Sequence, residues 1–173
     1  RVLFRSLSSL SLWYSPNNKF IENSSQEYHL DHEDYRQVKG FLFINEVDFN
    51  TGPLNVINVT QSNKIQKLIN YKMIKSSKRI NDKIIEDLKK KTNINENILT
   101  GKSGDLVLCD TSSCFHYGSR LLNNPKPRFI LAFQYVTPFS FSMDWNWKNS
   151  DMPYKNLNFD TNPIVKKVIG NQI

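Results

Sequence analysis

Polar and apolar residues alternate over residues 6–14 (SLSSLSLWY), the period of a strand with one face turned inward. Ser15-Pro16-Asn17-Asn18 then predicts a turn. Residues 38–44 (VKGFLFI) read as a buried strand, and Asn50-Thr51-Gly52-Pro53 as a turn leading into a short strand over 54–59. From Ile65 the period changes. Ile65, Leu68 and Ile69, then Ile84, Ile85 and Leu88, follow helical spacing. Residues 62–92 therefore predict a helical insertion of two short helices, the second capped by Asn81 or Asp82. After the turn at Gly101-Lys102-Ser103-Gly104, strands are predicted over 105–110, 115–119 and 128–136 (RFILAFQYV). The aromatic, proline-dotted tail from Pro138 (Trp145, Trp147, Tyr154) is expected to lie as an extended cover over the barrel. Short strands with turn signals, interrupted once by helices, predict a mainly β, jelly-roll or barrel-like fold.

Length and composition narrow this further. The 173 residues suit a single domain, and no apolar run reaches 18 residues, so no transmembrane helix is encoded. The aromatic share, 12%, is too high for a disordered chain. Beginning at Arg1 and not Met, the sequence is expected to be a trimmed chain or a fragment. Its Arg- and Ser-rich opening has a loose likeness to a transit peptide, but a strand is the plainer reading. Cys109 and Cys114 form neither a disulfide framework nor a zinc spacing; they read as small core residues in a reduced, cytoplasmic setting.

The net charge of +7 points at first to nucleic acid. Its distribution argues otherwise. Residues 64–91 hold ten basic and three acidic residues, an excess equal to that of the whole chain. The remainder is neutral, with 13 of each sign. The basicity belongs to the helical insertion, where it reads as a solvated face or as a docking edge for an anionic substrate. No nucleic-acid partner is expected.

The three histidines carry the candidate chemistry. His29-Leu30-Asp31 is an H-x-D, and on a strand residues i and i+2 share a face. One imidazole and one carboxylate can thus meet the same metal. His116, 87 positions on, completes two histidines and one carboxylate. That facial triad leaves open positions on iron(II) for a bidentate cosubstrate and for oxygen. Arg128 lies 12 positions after His116, and a hairpin centred near Leu122 would make the two cross-strand neighbours. Its planar fork suits the far carboxylate of a metal-bound 2-oxoacid.

With these residues in place, the sequence resembles the phytanoyl-CoA dioxygenase family. Ser25-Gln26-Glu27-Tyr28-His29-Leu30-Asp31, residues 36–43 (RQVKGFLF) and Thr51-Gly52-Pro53 are similar to its first half. Gly101-Lys102-Ser103-Gly104-Asp105-Leu106, Asp110-Thr111, His116-Tyr117-Gly118, Arg128 and Gln134-Tyr135 are similar to its second half. The resemblance runs from about residue 23 to 136. It implies a double-stranded β-helix and an iron(II)- and 2-oxoglutarate-dependent dioxygenase. Such an enzyme uses molecular oxygen, converts 2-oxoglutarate to succinate and hydroxylates a small molecule. It further implies that His29, Asp31 and His116 bind iron and that Arg128 holds 2-oxoglutarate. Lys39, on the strand after the H-x-D, is the reserve anchor for the cosubstrate. Related halogenases lack the carboxylate, so Asp31 favours hydroxylation.

Plainer readings stand beside these. His32 begins a second H-x-D offset by three, which turns it to the other face, at the surface or behind the metal. His116 taken alone is an ordinary strand histidine, Arg128 could pair with a structural carboxylate, and Lys39 could point to solvent. Tyr28, Tyr117, Ser119 and Gln134 are candidates to line the pocket. The rival functions are a cupin-like metal protein that is not an oxygenase, and a non-catalytic binding domain on the same fold. Substrate identity and oligomeric state are not encoded legibly.

Overall fold

The computed structural model describes residues 6–15, 24–72, 79–120, 126–137 and 140. Apart from Ser140, the tail expected as a cover lies outside them. Two antiparallel sheets face each other. The first has the order β1 (Ser6–Ser15), β7 (Arg128–Val136), β2 (Val38–Phe43), β5 (Leu106–Cys109). The second has the order β4 (Glu96–Leu99), β3 (Leu54–Ile57), β6 (His116–Tyr117). Bridges from His29 to His116 and from Tyr28 to Ile80 extend the second sheet beyond β6.

Alternation along the strands builds two cores, one on each side of the second sheet. Phe41 and Phe43 of β2, Ile130 and Ala132 of β7, Cys109 of β5 and Val56 of β3 fill the space between the sheets. Tyr28, Leu30, Ile57 and Phe115 point the other way. They meet Ile65 and Ile85 of the helices α1 (Val59–Leu68) and α2 (Asp82–Lys91). The layers therefore run sheet, sheet, helices. This explains the near-continuous apolar run of β7. Its alternate residues, Arg128 through Val136, are buried between the sheets, and the intervening ones are only half covered.

Both helices of the insertion form, with their ends set by asparagines. Asn58 Oδ1 accepts from Gln61 N at 3.0 Å, so the helix opens at Val59, where the pattern had predicted a continuing strand. Asn81 caps α2 through Lys83 N at 2.9 Å, with Asp82 in the first turn and Lys89, Lys90 and Lys91 in the last. Arg120 ties α2 to the sheet. Its guanidinium meets both oxygens of Asp82 at 2.8 Å and lies over the Tyr117 ring, 3.7 Å from its centroid.

One expected pairing does not form. β6 and β7 are not a hairpin: β6 pairs with β3, and β7 lies between β1 and β2 in the opposite sheet. His116 and Arg128 are therefore not cross-strand neighbours. They face each other across the gap between the sheets. The predicted strand over 115–119 shortens to two residues because Ser119 takes a left-handed conformation, φ 63°, and turns the chain away.

Candidate metal centre

Three side chains converge at one end of the sandwich. The extended segment through residues 28–31 turns Tyr28 and Leu30 to the helical core and His29 and Asp31 to the gap. Its backbone is fixed by His29 N to His116 O at 3.0 Å, the reciprocal His116 N to His29 O at 3.1 Å, and Asp31 N to Thr111 O at 2.9 Å. The Nε2 atoms of His29 and His116 each lie 3.7 Å from an Asp31 oxygen. Ligand atoms from the three residues lie within 4.8 Å of one another, and all three residues are buried.

The outer ring nitrogens explain the orientation. His29 Nδ1 donates to Glu27 O at 2.7 Å, and His116 Nδ1 donates to Cys114 O at 2.9 Å. A carbonyl can only accept, so each Nδ1 carries the proton and each Nε2 turns a lone pair inward. Burial drives the His29 pKa down to about 3, with His116 and Arg79 adding to it against Asp31. Burial lowers His116 likewise, opposed by Asp31. Burial pushes the Asp31 carboxyl up, but His116, Lys39 and His29 outweigh it and hold it below the usual range. Two neutral imidazoles and one carboxylate are the donor set of a divalent transition metal. Asp31 Oδ2 is buried, with the Lys39 ammonium at 2.7 Å as its charge partner. The set fits one such ion.

The opposite wall supplies cations. Lys39 of β2 reaches across to Asp31 Oδ2 at 2.7 Å and has Glu33 as a second neighbour at 4.0 Å. It therefore points into the cleft and not to solvent. Arg128 enters from β7, 3% exposed, and burial lowers its pKa to about 10. Its Nη1 donates to Gly52 O, and its Nη2 to Ser119 Oγ at 2.5 Å and Ser15 Oγ at 3.1 Å. No carboxylate pairs with Arg128 among the described residues, and its Nε has no partner there. A buried guanidinium held only by neutral oxygens keeps its full positive charge inside the fold.

His29, Asp31, His116, Lys39 and Arg128 all line one cleft of about 730 Å³, its open mouth included. Of the other candidates only Ser119 lines it. Tyr28 and Tyr117 stack edge to face at 4.7 Å on the helical side of the sheet. Gln134 is engaged by Gln37 at 3.0 Å, which in turn donates to Thr111. Odd positions along the 28–31 segment face the cleft and even ones face away, which removes Tyr28. His32 is half-buried and outside the three-residue cluster. Trp13, Phe41, Phe43 and Arg79 also line the cleft, although the sequence had not marked them for it. Phe41 and Phe43 share the strand parity of Lys39, a signal that could have found them.

No protein-family model matches this chain, and no curated protein matches it. Among solved structures it is similar to SnoN, the non-heme alpha ketoglutarate-dependent epimerase of nogalamycin biosynthesis. Identity is 10%, with 85% of this chain and 56% of that one covered and a TM-score of 0.50. SnoN in complex with Fe3+, alpha ketoglutarate and nogalamycin RO matches at 11% identity, with 85% and 58% covered and a TM-score of 0.53. HygX from Streptomyces hygroscopicus, with iron bound, matches at 14% identity, with 78% and 59% covered and a TM-score of 0.46. The fold is a cupin-like jelly roll. At such low identity the SnoN likeness establishes the architecture alone. The chain spans less than three fifths of the length of these proteins.

Proposed function

We propose that the protein is a non-haem iron(II)- and 2-oxoglutarate-dependent dioxygenase of the phytanoyl-CoA dioxygenase type that hydroxylates a small molecule. One observation carries the reading. Two inward-facing imidazoles, a buried carboxylate and a buried arginine without a counter-carboxylate among the described residues share a single cleft. A metal site alone requires no such arginine, so this pairing favours an oxygenase over a cupin-like metal protein or a binding scaffold.

His29, Asp31 and His116 would hold the metal. Burial keeps both rings neutral, while the Glu27 and Cys114 carbonyls fix the proton on Nδ1 and turn each Nε2 inward, and this second layer of contacts raises the basicity of each ligand. Arg128 binds and orients the far carboxylate of 2-oxoglutarate, with its fork set by Gly52, Ser15 and Ser119. Lys39 steadies Asp31 and is the second cation within reach of the cosubstrate. Phe41, Phe43 and Ile130 keep the floor of the cleft apolar, which strengthens every charge contact there. When bound, the iron supplies the oxidising chemistry, driven by oxygen and 2-oxoglutarate.

The test is succinate formation from 2-oxoglutarate under air, with and without added iron(II). The reading predicts iron-dependent succinate that disappears in Asp31→Ala. Succinate at the same rate in that variant, or none from iron-loaded wild type that also fails to bind 2-oxoglutarate, would sink it.

A further inference from the structure

The two faces of the second sheet are coupled. His29 and His116 face the gap, while their chain neighbours Tyr28 and Tyr117 face the helices and stack edge to face at 4.7 Å. The backbone link between the two ligand-bearing segments is short. One isolated bridge pairs His29 with His116, and Gly118 N donates to Ser25 O at 3.0 Å. A metal needs its ligands held to within about 0.5 Å, which takes support from the residues behind them. Arg120 stands in that place, on the helical side, and does not line the cleft. It lies four residues after His116. Its Nε donates at 2.5 Å to the carbonyl of Gln26, three residues before His29. Gln26 answers with Nε2 to Ser119 O at 3.1 Å. The Arg120 fork donates at 2.8 Å to both oxygens of Asp82, in the first turn of α2. Its flat face lies 3.7 Å from the Tyr117 ring centroid and 5.9 Å from that of Tyr28. An exposed ion pair alone contributes little. Here the same guanidinium also holds a backbone carbonyl and covers a ring, so its removal loosens the ligand segment itself.

We infer that Arg120 is a positioning residue for the metal centre: it clamps the segment that carries His29 and Asp31 to the strand that carries His116, and fastens both to α2. It acts through the ligands, because the sheet stands between it and the cleft. A planar guanidinium serves a carbonyl, a carboxylate and a ring face at once, which an ammonium does not. The helical insertion thereby becomes part of the frame of the site. The inference rests on the metal site of the dioxygenase reading and does not depend on which substrate is oxidised.

The experiment titrates the full chain with Co(II) in the absence of oxygen and reads its visible absorption, which reports the geometry of the ligands. Arg120→Met keeps an apolar stem on the Tyr117 ring and removes the hydrogen bonds to Gln26 and Asp82. It should weaken Co(II) about 10- to 100-fold, the loss typical of residues that orient metal ligands. Its spectrum at saturating Co(II) should differ from that of wild type. An arginine with a merely structural role would lower stability in urea and leave that spectrum unchanged. Arg120→Lys should recover part of the affinity. Asp82→Asn, at the half-exposed end of α2, should move the spectrum in the same direction with a few-fold loss, and it decides the matter if Arg120→Met does not fold. The double variant should bind no more weakly than Arg120→Met, since both changes break one clamp. Wild-type affinity and spectrum in the folded variants, or losses that add in the double variant, would overturn the inference. Wild type that binds no Co(II) is a different result, and it strikes the dioxygenase reading beneath.

Discussion

The two walls of the cleft do different work from similar strands. The wall of the second sheet, β6 with the 28–31 segment beside it, presents neutral donors and one carboxylate at close range. The wall of the first sheet, β2 and β7, presents long cationic side chains that cross the gap. Short side chains on paired backbone fix positions to within a hydrogen bond, which a metal requires. Long side chains span distance, which a five-carbon dianion requires. The contrast is also one of support. The histidines are held by carbonyls two residues away in sequence, whereas Arg128 is held by Ser119, nine positions before it, and by the distant Gly52 and Ser15.

The sharpest break of this contrast comes from the donor wall. His29→Ala, Asp31→Ala or His116→Ala should each lower metal affinity by more than about 100-fold, beyond the loss seen for outer-layer partners, in anaerobic calorimetry. His32→Ala should leave affinity unchanged. If His32→Ala removes the metal and His29→Ala keeps it, the donor wall has been misassigned.

The cationic wall should fail differently. Arg128→Gln is expected to weaken 2-oxoglutarate by about 10- to 100-fold while metal affinity stays within a few-fold. Equal losses in both would mean that the walls are not separable.

Gly52→Ala tests the support of Arg128. Gly52 sits at φ 71°, and an added methyl would lie 2.8 Å from Arg120 N and 2.9 Å from the Ser119 carbonyl carbon. The cost should be about 1–3 kcal/mol of stability in urea melts, with weaker 2-oxoglutarate binding and little change in metal affinity.

The last effect is in pH, and it is gradual, spread over several pH units. His29 is neutral in the fold down to about pH 3 but binds a proton near pH 6.5 when unfolded. The unfolded chain therefore takes up more protons between those values, and stability falls as pH drops below about 6.5. The slope from this residue approaches about 1.4 kcal/mol per pH unit, and His116 adds in the same direction. His29→Phe should flatten the metal-free curve between pH 4 and 6.5. An unchanged slope would show that burial does not hold the ring neutral.

How much of the site is legible in the sequence follows from what a strand period can encode. Facing is written in parity, so the spacing of the H-x-D alone puts His29 and Asp31 on one face. Partnering is not. His116 and Arg128 share the cleft, but the hairpin expected between them is replaced by a crossing from one sheet to the other, which depends on which strand β6 finds. β4 went unseen because Glu96 and Asn97 precede Ile98 and Leu99, so no alternation marks it. The lysine and arginine count located the charge in the insertion. It could not show that Arg79 alone among the described residues of that insertion lines the cleft.

The claim that both walls act on one cosubstrate is tested most directly by anaerobic calorimetry of 2-oxoglutarate with and without iron(II), in wild type and in Arg128→Gln. The account predicts one equivalent bound tightly by iron-loaded wild type, and a large loss of affinity on removing either the metal or the arginine. Binding that is the same without iron, or the same in Arg128→Gln, would contradict it.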